Sequence, residues 1–371
     1  MEEIKTIGII GAGKMGEDIF NFLSEHDFSL IWVTRSNKEI LTERFIKRIT
    51  RKLKAGVITE IEHKDMYERT KITDNIEDLS KCELIIESIT ENFEMKKELF
   101  SELEKIANSD AIIATNSSSI APSKLGSKEN LKRIIGLHFF YPIKLKNVIE
   151  VIINKKTSAA VLEKIKLMFF FLNRFYIKLD EKNAFIFNKI LLDIQSYVYN
   201  FYEQNSLSYT VLDELVRKHI FPVGIFEMID NIGIDTILTS VKNYTKDIDK
   251  NDQIYYEPFI TRLEKMSAST NENEFYKIRD NRINIIVNER IEEKFINGLI
   301  YLFINSCYKI LEKKILTENE LEFSMKEYFG TSKSLFDLAK EHEKNRICSY
   351  LELNFNATKL NIFNPSALLK K

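Results

Sequence analysis

Two apolar stretches of this chain each carry one ionisable residue that their surroundings do not call for. IIGLHFFYP, residues 134–142, sets His138 between an aliphatic run and two phenylalanines, and VIEVII, residues 148–153, sets Glu150 among β-branched residues. An unpaired carboxylate in such a strand is costly, so Glu150 requires a partner, and an imidazole on the adjoining loop is the obvious one. A carboxylate that holds the tautomer of a histidine and stabilises its charged form is the orienting half of a general-base pair. The competing reading is that His138 is a hydrogen-bonded core residue, the commoner fate of a lone histidine beside aromatics.

A second chemistry sits near the start of the chain. IKTIGII, residues 4–10, reads as a buried parallel strand, GAGKMG follows, and EDIFNFLSEH has the period of an amphipathic helix. In a strand–turn–helix of this kind Gly11 permits the tight turn, Gly13 lets a pyrophosphate approach the backbone, and Gly16 allows close helix packing. Gly11, Gly13, Met15 and Gly16 are therefore candidate cofactor contacts. The next strand, FSLIWV, should end in an acidic residue if it is to bind the ribose 2′-hydroxyl of NAD, but it ends in Thr34, Arg35, Ser36. A hydroxyl beside a guanidinium suits a 2′-phosphate, which favours NADP over NAD. The alternative is that Arg35 stacks on the adenine or faces solvent.

The elements that must position these groups follow in order. Residues 44–75 read as two helices meeting at Ala55-Gly56, with Ile46, Ile49 and Leu53 as the apolar stripe of the first. Arg44, Lys47, Arg48, Arg51, Lys52 and Lys54 occupy its other faces, either as a solvated surface or as a site for the phosphates of CoA or an acidic carrier protein. The strand CELIIESI leads into the helix TENFEMKKELFSELEKIA, and the strand DAIIATNSSSI ends in a polar cluster. Glu87, Glu91, Lys96, Asn116 and Ser118 thus gather where ligands bind an open parallel sheet.

Composition limits the alternatives. Lys plus Arg (54) nearly balances Asp plus Glu (55), so no global field recruits nucleic acid or a membrane. With 44% hydrophobic and 29% charged residues, the chain falls in the globular class. Cys82, Cys307 and Cys348 form neither a CxxC pair nor a metal pattern, so reduced thiols, no metal and a cytoplasmic setting are expected. The first residues lack a secretory h-region, and charges break the most apolar later stretch, residues 161–179.

GAGKMG, TENFEMKKELF, TNSSSI, GLHFFYP, NVIEVI and FIFNK fall in an order and spacing that resembles the L-3-hydroxyacyl-CoA dehydrogenase family over roughly residues 4–240. The resemblance implies a Rossmann domain followed by an all-helical one, with thioester and nicotinamide meeting between them. It implies a catalytic set of Ser118, His138, Glu150 and Asn188, with Glu91 and Lys96 contacting cofactor and nearby substrate. In that mechanism His138 takes the proton of the C3 hydroxyl as hydride leaves C3, Glu150 holds the imidazolium, and Ser118 and Asn188 hydrogen-bond the oxygen. Three positions depart from the family: Tyr141 stands for an asparagine, residues 183–185 are NAF in place of PGF, and Thr34 replaces an acidic ribose ligand.

The second half repeats itself. The segment from Asn188 is echoed by the segment from Asn297, with Glu203 and Glu312, and the caps Ser208 and Thr317, in register. Asn297 is read as a helix-start residue without catalytic duty, and the polar stretch around SASTNENEFYKI as a linker or excursion. The expected architecture is an α/β Rossmann domain with a parallel sheet (1–182), a helical domain (183–285) and a second helical repeat (286–371). A duplicate can supply within one chain the packing that short family members obtain by dimerisation, so a monomer or homodimer is expected.

The function implied is interconversion of a 3-hydroxyacyl thioester and its 3-oxo form. The carrier is either CoA, as in ordinary fatty acyl metabolism, or an acyl carrier protein. The latter is similar to the branch that oxidises glyceryl or seryl thioesters into polyketide extender units. A nucleotide-binding paralogue without chemistry is the contrasting reading, and it has no need of the four catalytic residues.

Overall fold

The computed structural model describes residues 3–205, 207–277 and 288–370. They divide into two compact units, Met1–Ala184 and Phe185–Lys371. The expected junction at 285/286 lies outside the described residues.

The first unit runs β1 (Thr6–Ile10), α1 (Lys14–Leu23), β2 (Ser29–Val33), α2 (Lys38–Lys54), α3 (Glu60–Glu68), β3 (Thr70–Thr73), β4 (Leu84–Glu87), α4 (Phe93–Ile106), β5 (Ile112–Thr115), α5 (Pro122–Leu125), β6 (Ile134–Phe139), β7 (Val148–Ile153), α6 (Ala159–Phe171) and β8 (Phe175–Asp180). The sheet order is β3-β2-β1-β4-β5-β6-β7-β8. Neighbours are parallel throughout except β6 and β7, which are antiparallel. That reversal has a simple origin: only the loop 140–147 joins the two strands, and a parallel pair would need a helical crossover. The central strands are buried on both faces, Ile7, Ile9, Leu84, Ile86, Ile112 and Ile113 among them, so they read as continuous apolar runs rather than alternating ones.

The stripe of α2 that meets this core is Leu41, Phe45 and Ile49; of the expected Ile46, Ile49 and Leu53, only Ile49 belongs to it. Phe45 lies edge-on to Phe20, and Phe20 stacks on Trp32 with ring centroids 4.3 Å apart, so an aromatic cluster sets the helix rotation. The basic face of α2 is largely spent within the unit. Arg44 pairs with Glu17, Lys47 with Glu43 and Lys52 with Glu25, while Arg48 donates to Asn21 O and Ser24 Oγ at the end of α1.

The second unit is helical: α7 (Ile186–Asn205), α8 (Tyr209–His219), α9 (Ile225–Ile232), α10 (Ile234–Thr245), α11 (Lys250–Ser267), α12 (Glu289–Glu312), α13 (Glu318–Phe329), α14 (Leu335–Glu341) and α15 (Lys344–Thr358). The long helices α7 and α12 pack closely. Tyr197 stacks on Phe295 at 6.2 Å and donates to Phe295 O at 3.1 Å, and a Cβ at Gly298 would stand 2.0 Å from the Tyr197 hydroxyl. Ser208 caps α8 through Val211 N, and Thr317 caps α13 in a reciprocal capping box with Glu320. Asn297 does not start its helix: α12 begins at Glu289, and the Asn297 amide donates to Glu293 one turn back.

The polar stretch read as a linker is anchored. Phe275 is 1% exposed and packs on Phe226 at 4.8 Å, Asp230 accepts from the N–H groups of Phe275 and Tyr276, and the Tyr276 hydroxyl donates to Asp213. Among the described residues no helix is long and apolar enough to cross a membrane, and no cluster of three or more His, Cys, Asp or Glu is arranged to hold a metal ion. All three cysteines are unpaired and buried.

Candidate active site

The glycine turn is held from two sides. Trp32 Nε1 donates to Gly11 O at 2.8 Å, and Gly11 N donates to Val33 O. Gly11 has φ +111°, and a Cβ there would come 2.3 Å from Ser88 O. A Cβ at Gly16 would come equally close to Gly11 O, whereas at Gly13 nothing lies within 4 Å. Two of the three glycines are thus demanded by close packing and the third faces open space at the start of α1. That opening, with the N–H groups of a first helical turn directed along it, fits the pyrophosphate of a dinucleotide. Met15 is half-buried against the core beside it.

Beyond β2 the side chains diverge. Thr34 is buried, and its hydroxyl donates to Ser36 O at 2.6 Å and accepts from Ser36 N. Its hydrogen is therefore committed inside the turn, contrary to the expectation that it serves a phosphate. Arg35 is exposed.

At the ends of β4 and β5 a carboxylate hub organises the TNSSS segment. Glu91 Oε1 accepts from Ser117 Oγ at 2.5 Å, Ser118 N at 3.1 Å and Ser119 Oγ at 2.7 Å, and Glu91 Oε2 lies 3.4 Å from Lys96 Nζ. Burial pushes this carboxyl up, but Lys96 and the serine hydroxyls outweigh it and hold the group below its ordinary value. Ser118 Oγ itself has no hydrogen-bond partner among the described residues, so the hub fixes the backbone and leaves that hydroxyl available. Asn116 ties three strand ends together, donating to Ser88 Oγ and accepting from Phe139 N at 3.0 Å.

Lys96 is 1% exposed and pairs with Glu87, itself fully buried, at 2.5 Å. Glu87 also accepts from Ile89 N and Thr115 Oγ1. Removing the ammonium strands a buried carboxylate. Lys96→Ala is expected to destabilise the protein by about 3–5 kcal/mol, readable in urea unfolding. A change below about 1 kcal/mol would mean that the pair is solvated rather than structural.

His138 lies in β6 itself, not on the adjoining loop. In the antiparallel register it stands directly opposite Glu150 of β7, the placement that brings two side chains together on one face. His138 Nδ1 donates to Glu150 Oε2 at 2.7 Å, with the carboxylate fully buried and the imidazole 5% exposed. Because a carboxylate only accepts, the ring proton is on Nδ1 and the lone pair of the neutral ring is on Nε2. Phe140 packs edge-on to the imidazole at 4.6 Å.

The departures from the family pattern also have places. Tyr141 is 48% exposed, with Lys14 of the glycine turn 4.1 Å from its ring centroid. The turn lost with PGF is supplied by Asp180, whose side chain accepts from Asn183 N, and Phe185 takes the left-handed conformation at φ +61°. Asn188 stands near the start of α7 in the helical unit, its Oδ1 accepting from the Tyr328 hydroxyl at 2.8 Å. Sequence reasoning missed Ser117, Ser119 and Tyr328. The run of serines was a visible signal for the first two, whereas nothing local marks Tyr328.

An open glycine turn at the head of this strand order is a dinucleotide-binding unit, and with a helical unit following it in sequence the chain has the build of a two-domain dehydrogenase. The family profile for the 3-hydroxyacyl-CoA dehydrogenase NAD binding domain matches residues 6–182, and that for the 3-hydroxyacyl-CoA dehydrogenase C-terminal domain matches residues 185–277. The chain belongs to the 3-hydroxyacyl-CoA dehydrogenase family and is a nicotinamide-dependent oxidoreductase of that family.

A 3-hydroxybutyryl-CoA dehydrogenase of Bradyrhizobium diazoefficiens is 30% identical over 242 residues, 64% of this chain and 82% of that protein. The mitochondrial hydroxyacyl-coenzyme A dehydrogenase of Sus scrofa is 26% identical over 74% of this chain and 92% of its own length. Among solved structures, the 3-hydroxybutyryl-CoA dehydrogenase of Escherichia coli K12 superposes with a TM-score of 0.83 at 17% identity, covering 100% of this chain and 98% of that one. The fold is therefore shared along the entire length.

Proposed function

We propose that the chain interconverts a 3-hydroxyacyl thioester and its 3-oxoacyl form, with His138 and Glu150 as the general-base pair. The observation that carries this reading is the 2.7 Å bond from Nδ1 to a fully buried carboxylate, which commits Nε2 to accepting a proton. Glu150 stabilises the imidazolium formed. Ser118 and Asn188 donate to the substrate oxygen as it changes between hydroxyl and carbonyl. A bound nicotinamide dinucleotide supplies the hydride acceptor. Gly11, Gly13, Met15 and Gly16 hold its pyrophosphate, and Glu91 and Asn116 shape the adjoining loop.

The carrier favoured by the relatives' names is CoA. A second reading, a small polar acyl group on an acyl carrier protein, is supported by the exposed Tyr141 where the family has an asparagine. The contacts of Arg44, Lys47, Arg48 and Lys52 within the unit weigh against a phosphate site or carrier surface there. We assign residues 1–182 to dinucleotide binding, and the helices after it to two copies of one repeat that pack within the chain, in keeping with a monomer or homodimer.

NADPH is the preferred cofactor on this reading, through Arg35 alone. The test is oxidation of NADH and NADPH with acetoacetyl-CoA, followed by absorbance. Turnover supports the CoA thioester reaction. No turnover, with dinucleotide binding intact, moves the assignment to the carrier-protein substrate. Arg35→Ala is expected to raise the KM for NADPH about tenfold or more and leave that for NADH unchanged. Equal effects on both would sink the NADP preference.

A further inference from the structure

Asn188 and Tyr328 are 140 residues apart in sequence, one on α7 and the other at the end of α13. An asparagine in the first turns of a helix ordinarily turns its side chain to nearby backbone or to solvent. Here its amide oxygen instead accepts from Tyr328 at 2.8 Å. The amide nitrogen makes no hydrogen bond among the described residues.

Tyr328 is itself held in place. Its ring lies 5.4 Å from that of Phe187, which is fully buried, and 4.7 Å from Phe329. Phe329 is packed in turn between Phe221 and Phe303 at 5.6 and 5.2 Å. The hydroxyl therefore has little freedom to follow a rotating amide.

A primary amide has two faces of opposite use. Its NH2 stabilises an oxygen that is gaining negative charge, and its C=O repels one, so a half-turn of the amide converts a helpful contact into a harmful one. The Tyr328 hydroxyl donates to the amide oxygen, which is the first orientation. We propose that Tyr328, contributed by the second helical copy, is a positioning residue that fixes the Asn188 amide with its NH2 directed away from the tyrosine, ready for the substrate oxygen. The second copy then has a task in the reaction besides packing. This inference rests on the role given to Asn188 above.

The test is steady-state kinetics on the full chain, with unfolding midpoints and dinucleotide affinity measured in parallel. Tyr328→Phe keeps the ring and its packing and removes only the donor. It is expected to lower kcat about 5- to 30-fold, with KM, dinucleotide affinity and the unfolding midpoint little changed. Asn188→Ala is expected to lose about 100-fold or more. Asn188→Asp, which retains an acceptor for Tyr328 but has no amide donor, should lose as much.

The double variant Tyr328→Phe, Asn188→Ala should be no slower than Asn188→Ala alone, because the tyrosine acts only through the amide. Losses that multiply in the double variant, or a Tyr328→Phe enzyme with full kcat beside an impaired Asn188→Ala, overturn the proposal and leave the role of Asn188 standing. Full kcat in both Asn188 variants overturns that role, and the inference with it.

Discussion

His138→Ala is expected to lower turnover by about two to four orders of magnitude while leaving dinucleotide affinity unchanged. The imidazole is held by a buried carboxylate on Nδ1, which assigns the acceptor role to Nε2, so its removal takes away both the proposed proton acceptor and its orientation. The glycine turn lies on other strands and should not notice. The protein carries its own probe for that half of the claim. Its single tryptophan, Trp32, donates to Gly11 O at the base of the turn, so tryptophan fluorescence should report dinucleotide binding in both proteins. Retention of more than about a tenth of the activity would remove His138 from the role of base.

The second large effect is expected at Glu150. Glutamine there keeps the shape but is no longer an obligate acceptor. Its amide can donate to Nδ1, which sends the ring proton to Nε2, the nitrogen that must be bare to accept the substrate's proton. Its amide oxygen cannot stabilise the imidazolium as a carboxylate does. Glu150→Gln is therefore expected to lower kcat by about a hundredfold or more, with KM little affected. Among the described residues Glu150 Oε1 has no hydrogen-bond partner, so the uncharged amide should cost little stability. A thermal midpoint near that of the parent would show that the loss is chemical. Near-full activity would mean that the carboxylate only fills a buried position.

What could be read in advance followed from unavoidable costs. Gly11 and Gly16 were legible because any side chain would strike Ser88 O or Gly11 O, and Glu150 because a buried charge demands a partner. His138 was misplaced onto a loop because β6 and β7 are buried on both faces and show no alternation that marks where a strand ends. Thr34 was misread because a hydroxyl near a turn can satisfy itself on its own backbone, here Ser36 O. The anchoring of Phe275 hid inside a polar stretch whose composition resembles a linker. The bond from Tyr328 to Asn188 left no trace, since it depends on how two distant helices pack.

The reversal between β6 and β7 makes the pairing of His138 with Glu150 a matter of counting. Residues on a strand face alternate sides, so one residue inserted or deleted within either strand, between the paired residues and their ladder, turns Glu150 or His138 to the opposite face of the sheet. An insertion in the 140–147 loop leaves His138 opposite Glu150, because the ladder on both sides sets their register. The loop can therefore change in length and composition, as Tyr141 illustrates, and reshape what binds beside the histidine, while the His138–Glu150 pair stays where it is. Under the proposed roles, specificity and chemistry are separable here to the extent that one is written in a connection and the other in a register.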